Sequence, residues 1–314
     1  MQSPPEPAAA LASAKTPPTG SASAFIGAAM AVSAAVMWGT SGVISRFLFQ
    51  AGITPLTLVE ARSIITALGM GVVLLLLGRA RFRVQRRDLP LLLLFGVSLA
   101  IVTYAYFLAV KLLPVAIAVM IQYTGPSLIA LYTALTLRRL PSARIIGALA
   151  LTLAGVALLA GLGSLLTGQT AAGITALGLL VSFAAAVAMA FYMLVGERLG
   201  QRVHPQTNVL YGFTLASVIW LILQPPWQFQ TAALAPERLP LVLAVGVIGT
   251  LVPFGLFLAA VRRLDATRAA ILATVEPVTA ALVSWVWLGE QLDVWQLIGG
   301  LLVLVGVTIV QVKR

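Results

Sequence analysis

Cysteine is absent from this chain, which removes disulfides, thiolate metal sites and cysteine nucleophiles from consideration without fixing a compartment. Charge is nearly as scarce. Only 9% of the 314 residues are Asp, Glu, Lys or Arg, there is one histidine, and 60% are hydrophobic. With a mean hydropathy of +1.03, the chain has too little polar surface to cover a water-soluble globule, so its expected partner is a lipid bilayer. No G-x-x-x-x-G-K-[ST] phosphate loop is present, and no stretch is left over for a soluble ATPase domain. His, Asp and Glu form no cluster of the kind a metal site or an acid/base enzyme needs. No cofactor, no metal and no enzymatic activity are expected. The net charge of +11 would suggest nucleic acid in a soluble protein, but here Lys and Arg fall between apolar runs instead of sharing one folded face, so no nucleic-acid partner is expected.

What the chain does have is apolar runs of membrane-spanning length, since about 20 residues cross a hydrocarbon core of about 30 Å. They fall at 25–48, 56–78, 89–110, 114–137 and 144–164, then at 171–198, 206–223, 239–261, 267–288 and 293–311, separated by Pro, Gly or Arg clusters. The expected fold is an all-α integral membrane protein of ten transmembrane helices, because short loops force neighbours antiparallel and each helix satisfies its own backbone. Residues 1–24, rich in Pro, Ala and Ser, read as a disordered cytoplasmic tail. If that tail is cytoplasmic, the loops on its side hold Lys15, Arg79, Arg81, Arg83, Arg86, Arg87, Arg138, Arg139, Arg144, Arg198, Arg202, Arg262, Arg263, Arg268, Lys313 and Arg314, against Lys111 and Arg238 opposite. The positive-inside rule therefore puts both termini in the cytoplasm.

The two halves align at a shift of about 150 residues: Pro55 on Pro205, Gly96 on Gly246, Pro126 on Pro277, Gly155 on Gly306. Residues 106–114 likewise meet 256–265. The expected units are 25–164 and 171–311. Five spans per unit is an odd number, so the second unit is inverted relative to the first. Two such units can exchange conformations and so open a shared cavity alternately to either side.

The segments 35–47, 61–68, 114–131 and 276–307, the last combining a mid-span proline, an LGE end and a Gly-rich final helix, resemble the EamA-type branch of the drug/metabolite transporter superfamily. The sequence departs from that pattern at Arg139, where the family often has Glu. Aromatic and other amino-acid exporters are the nearest likeness. The resemblance implies a small-molecule substrate, a monomeric carrier in a bacterial inner membrane, and a cavity framed by spans 1, 3, 4, 6, 8 and 9.

Polar residues in mid-span mark the same region, because an unpaired polar group in hydrocarbon costs several kcal/mol. Glu276 is the deepest carboxylate. It could bind a substrate ammonium or carry a proton; alternatively it could be a structural partner steadying the break at Pro277. Trp38, Thr40 and Ser41 interrupt span 1 beside Gly39 and Gly42, where small residues permit either a bend or tight packing. Gln122 and Tyr123 precede Pro126, and Tyr104 and Tyr192 add rings to the same layer; each is a substrate-binding candidate, with an interhelical hydrogen bond as the simpler alternative. Arg62 cannot face Glu60 at a spacing of two, and is expected to snorkel, pair with a neighbouring helix or serve a gate. Gly39, Gly42, Arg62, Pro126 and Pro277 form the helix-break and gating set. Trp285, Trp287 and Trp295 read as interface anchors, and His204 as a solvated loop residue. The leading reading is export of small metabolites, aromatic or other neutral amino acids; polyspecific drug efflux and a membrane-embedded transferase are the alternatives.

Overall fold

The computed structural model describes residues 21–78, 82, 84–136, 142–163, 173–264 and 266–312. The tail 1–20, Arg79, Arg81, Arg83, Arg138, Arg139, Lys313 and Arg314 lie outside the described residues. Among the described residues ten helical spans run in chain order: α1 (Ser21–Gln50), α2 (Pro55–Leu77), α3 (Leu89–Leu112), α4 (Val115–Thr136), α5 (Ala143–Leu159), α6 (Ala176–Gly200), α7 (Pro205–Leu223), α8 (Leu239–Leu264), α9 (Ala266–Leu288) and α10 (Val294–Gln311). Nine are long and apolar enough to cross a membrane, and α5 is a shorter apolar helix. The protein is thus an all-helical integral membrane protein of two inverted five-helix repeats.

Local chemistry explains where these helices begin. Pro55 and Pro205 open α2 and α7, where a missing N–H costs nothing. The hydroxyls of Thr54 and Thr175 accept from Thr57 N–H and Gly178 N–H at the starts of α2 and α6, and Asp293 with Gln296 forms a capping box on α10. Two spans break near their middle. In α4 the break falls at Tyr123 and Thr124, just before Pro126; in α9 it falls at Thr274, just before Pro277. Both are closed the same way, Thr124 N–H and Oγ1 onto the Ile121 carbonyl, Thr274 N–H and Oγ1 onto that of Ile271. A third irregularity, the π turn Val247–Leu251 in α8, precedes Pro253, whose ring cannot continue the regular ladder.

Packing between the halves repeats the internal symmetry. A side-chain carbon on Gly96 of α3 would collide with Leu215 of α7, and one on Gly246 of α8 would collide with Ile65 of α2; these two contacts map onto each other under the shift of about 150. At the edge, α5 and α10 lie almost backbone to backbone. A Cβ at Gly155 would sit 2.6 Å from the Gly299 carbonyl, and one at Gly306 would sit 2.7 Å from the Ala148 carbonyl. Within this frame α1 packs on α8 and α9, while its counterpart α6 packs on α3 and α4. These contacts gather spans 1, 8 and 9 in one group and spans 3, 4 and 6 in another.

Since lipid offers no hydrophobic drive to bring helices together, small residues at the contact supply the close packing. Gly299→Val should lower the stability of the detergent-solubilised protein by roughly 1–3 kcal/mol through overpacking. Gly147→Ala, where a side chain meets open space, should not lower it. Thermal unfolding of the two variants beside the parent checks both.

Candidate functional site

The two broken helices come from different halves and meet at their breaks. Tyr123, at the break of α4, has its hydroxyl 2.8 Å from the Ala273 carbonyl and 2.8 Å from Glu276 Oε2, both at the break of α9. One phenolic proton thus has two acceptors at equal distance. When Glu276 is ionised, Tyr123 donates to it. When Glu276 is neutral, it can donate to the phenolic oxygen while Tyr123 turns its proton to Ala273. Both protonation states are accommodated without repacking.

Around this pair the interior is lined mainly by rings. Trp38 of α1 meets Phe254 edge-on at 5.5 Å and Phe257 at 5.4 Å, both on α8, and Phe254 in turn meets Phe213 of α7 at 5.6 Å. Tyr192 of α6 stacks on Phe95 of α3 at 5.1 Å. Gly39 lets α1 approach so closely that a Cβ there would lie 2.7 Å from the Glu276 carbonyl. Gly42 faces the Tyr106 hydroxyl at a similar range. Trp38, Tyr106, Tyr123, Tyr192, Phe254, Phe257 and Glu276 are each only partly buried.

Arg62 projects from α2 into the same region. It is 8% exposed, with its guanidinium 5.0 Å from the Phe107 ring centre and 5.9 Å from that of Phe213. It does not snorkel to the surface, it finds no acidic partner within 4 Å among the described residues, and its field reaches Glu276, Tyr106 and Tyr192. Glu60, 2% exposed, has one carboxylate oxygen without a hydrogen-bond partner.

Other candidates fall elsewhere. The Thr40 hydroxyl donates back to the Val36 carbonyl at 2.8 Å, and buried Ser41 packs against Gly249 of the π turn. Gln122 is buried within α4. Tyr104 lies against Trp220 of α7 with ring centres 5.8 Å apart. Pro126 and Pro277 sit beside the breaks, as their missing N–H groups require. Trp285, Trp287 and Trp295 are exposed on the bundle surface. His204, instead of being merely solvated, is 2.8 Å from Arg262.

Sequence reasoning missed a latch at the end of the bundle that carries Glu290. Glu290 Oε1 is 3.4 Å from Arg46 Nε, and Oε2 accepts the Val115 N–H at 2.8 Å. Arg46 also donates to the carbonyls of Val110 and Lys111. Four elements are fastened at one point: the end of α1, the end of α3, the start of α4 and the turn after α9. Two side-chain amides tie α2 to the α7–α8 connection at the same end, Gln224 donating to Thr57 Oγ1 and Gln230 accepting from Thr54 N–H. The LGE end and Arg46 were visible in the sequence, but nothing at their separation of more than two hundred residues marked them as partners.

Burial holds the Glu290 carboxyl above the ordinary glutamate range, and the Val115 N–H and Arg46 offset this only in part. A latched Glu290 therefore binds a proton more tightly than one released into water, so latching gains free energy as pH falls and loses it as pH rises through that raised pKa. Because the chain has no native thiol, Val115→Cys gives a single reporter beneath the latch. Its labelling by an impermeant maleimide, normalised to the unfolded chain, should slow as pH falls, and should quicken several-fold when Glu290→Ala removes both partners at once.

A family model described as the EamA-like transporter family matches residues 25–161 and 176–312. The threonine/homoserine exporter RhtA of Escherichia coli (strain K12) is 32% identical over 221 residues, 70% of this chain and 70% of that protein. The uncharacterized inner membrane transporter YicL of Salmonella typhimurium (strain LT2) is 29% identical over 290 residues, 88% of this chain and 92% of that one. A solved crystal structure shares the fold with a TM-score of 0.59 at 22% identity, covering 92% of this chain and 97% of its own.

Proposed function

Because the chain belongs to the EamA-like transporter family, we propose that it exports small neutral amino acids by alternating access, with Glu276 and Tyr123 at the load-carrying site. The observation that carries this reading is the Tyr123–Glu276 hydrogen bond, made between the breaks of one helix from each half. A carboxylate there can hold a substrate ammonium, and it sits where motion of one half against the other would change its access. The 32% identity to threonine/homoserine exporters supports an amino-acid cargo. In this reading the basic end of the bundle faces the cytoplasm of a bacterial inner membrane, both termini lie inside, and the Arg46–Glu290 latch closes the outer side.

The Tyr123 proton switch gives the cycle a coupling step. An ionised Glu276 binds the substrate ammonium; a proton arriving from outside neutralises the carboxylate, releases the ammonium, and lets the empty carrier return. Titratable or charged groups facing Glu276 are Tyr123 from α4, Tyr106 from α3 and Arg62 from α2, and Arg62 in turn faces Tyr192 from α6. The ring set around Trp38 also suits organic cations, which keeps drug efflux as the second reading.

Counterflow in proteoliposomes decides between them. Labelled threonine and homoserine should exchange, with quaternary ammonium dyes failing to compete; dye flux without amino-acid flux would sink the export reading. Glu276→Gln should cut exchange by about tenfold or more, the scale of one lost charge-assisted hydrogen bond, and should do so more than Glu60→Gln. Tyr123→Phe should retain exchange at equal pH but lose most of the stimulation by a proton gradient.

A further inference from the structure

Arg62 has five N–H donors and a full charge, and among the described residues it makes no hydrogen bond and no ion pair. At 8% exposure in the interior of a membrane protein, such a group is costly to keep, and the residue type is rare there unless it has a partner or a task. Its neighbours do not neutralise it. The guanidinium carbon lies 5.0 Å from the Phe107 ring centre and 5.9 Å from that of Phe213, which supplies a cation–π contribution but no hydrogen-bond acceptor. The N–H groups of the fork are thus left without an acceptor, and a planar fork of this kind binds a carboxylate in bidentate fashion.

We infer that Arg62 is the carboxylate-recognising group of the central site, held beside Phe107 and Phe213 so that its unused N–H groups receive the carboxylate of a zwitterionic substrate whose ammonium is held at Glu276. This rests on the reading that the interior carries amino acids, and it narrows that reading to free α-amino acids over their esters, amides and alcohols. The two opposite charges fit the role because they act on each other electrostatically while remaining more than 4 Å apart. A direct ion pair would leave neither end for a substrate; a separation lets one zwitterion satisfy both. The internal symmetry adds a point. Position 62 falls opposite Gly212, and position 276 opposite Gly125, so each charge occurs in only one half and the site has a single polarity.

The test is inhibition of labelled threonine counterflow by threonine, threonine methyl ester and the corresponding amino alcohol, in proteoliposomes of the full chain. In the parent, the ester and the alcohol should compete about 100-fold less well than the acid, the scale for leaving a buried charged donor unpaired. Arg62→Gln should raise the threonine KM by about the same factor and bring the acid-to-ester preference close to one. Arg62→Lys, which keeps the charge without the fork, should fall between. A purely structural arginine would alter expression or melting but not that preference. An Arg62→Gln protein that still prefers the acid, or a parent that accepts the ester equally, overturns the inference while leaving export intact. If the parent moves no amino acid, melting temperature separates the cases. Stabilisation of the parent by threonine but not its ester, lost in Arg62→Gln, sinks the export reading and keeps this one. Stabilisation by chloride alone, an inorganic anion occupying the fork, or by nothing, overturns it.

Discussion

A helix that breaks inside lipid exposes carbonyls and N–H groups where no water is available to satisfy them, and the contact between Tyr123 and Ala273 answers that constraint. Each half of this protein has one such break, and the two breaks face each other. The phenol of Tyr123 crosses from α4 to reach the freed carbonyl of Ala273 and, at the same distance, the carboxylate of Glu276. Local threonines do the rest, Thr124 and Thr274 each closing its own break onto an isoleucine carbonyl. The interior polar site thus grows out of backbone accounting: prolines at 126 and 277 create unsatisfied groups, and the residues that satisfy them are also those able to hold a cation and move a proton.

A break in mid-membrane also localises where the bundle can flex, while the edges are kept stiff. Between α5 and α10 the glycine contacts hold two backbones in nearly direct contact, which anchors the periphery. At one end of the bundle, Glu290, Arg46 and the Val115 N–H concentrate the restraint on α1, α3, α4 and α9 at a single half-buried charge pair. A latch of this kind is strong only while it excludes water, so a modest change in separation converts it from a desolvated network to a pair of hydrated ions worth little.

Much of the fold could be read from the sequence because it follows from quantities that a single chain displays. Span number follows from hydrophobic length, antiparallel order from loop length, and inversion from the odd count of spans per repeat. The repeat at about 150 residues also holds in the packing, since Gly96 and Gly246 each meet the equivalent residue of the other half. The site was less legible. Glu276 and Tyr123 stood out as polar groups beside prolines, but Thr40 and Ser41 looked equally polar, and only three dimensions show one bonding back to its own helix and the other packed on the π turn. Phe107, Phe213 and Phe254 gave no signal, because an aromatic residue in an apolar span reads alike whether it faces lipid, core or substrate. Arg62 was visible as a charge, yet its lack of an ion pair among the described residues depends on the placement of helices far apart in sequence.

The asymmetry of an otherwise symmetric frame bears on how such a carrier works. At the positions related by the repeat, Glu276 stands opposite Gly125, and Gly39, which lets α1 approach Glu276, stands opposite Met189. A second carboxylate at position 125 would lie across the same break and repel the first, so one of the two would hold its proton at all times and contribute no charge to binding. A single carboxylate near the pseudo-symmetry axis avoids that conflict. In the export cycle we propose, it serves both conformations because exchanging the shapes of the two halves moves the surrounding helices more than it moves a residue lying close to the axis. Under that proposal symmetry supplies the two states of access, and its local breaking supplies a site with one sign of charge at each end and therefore one orientation for its cargo.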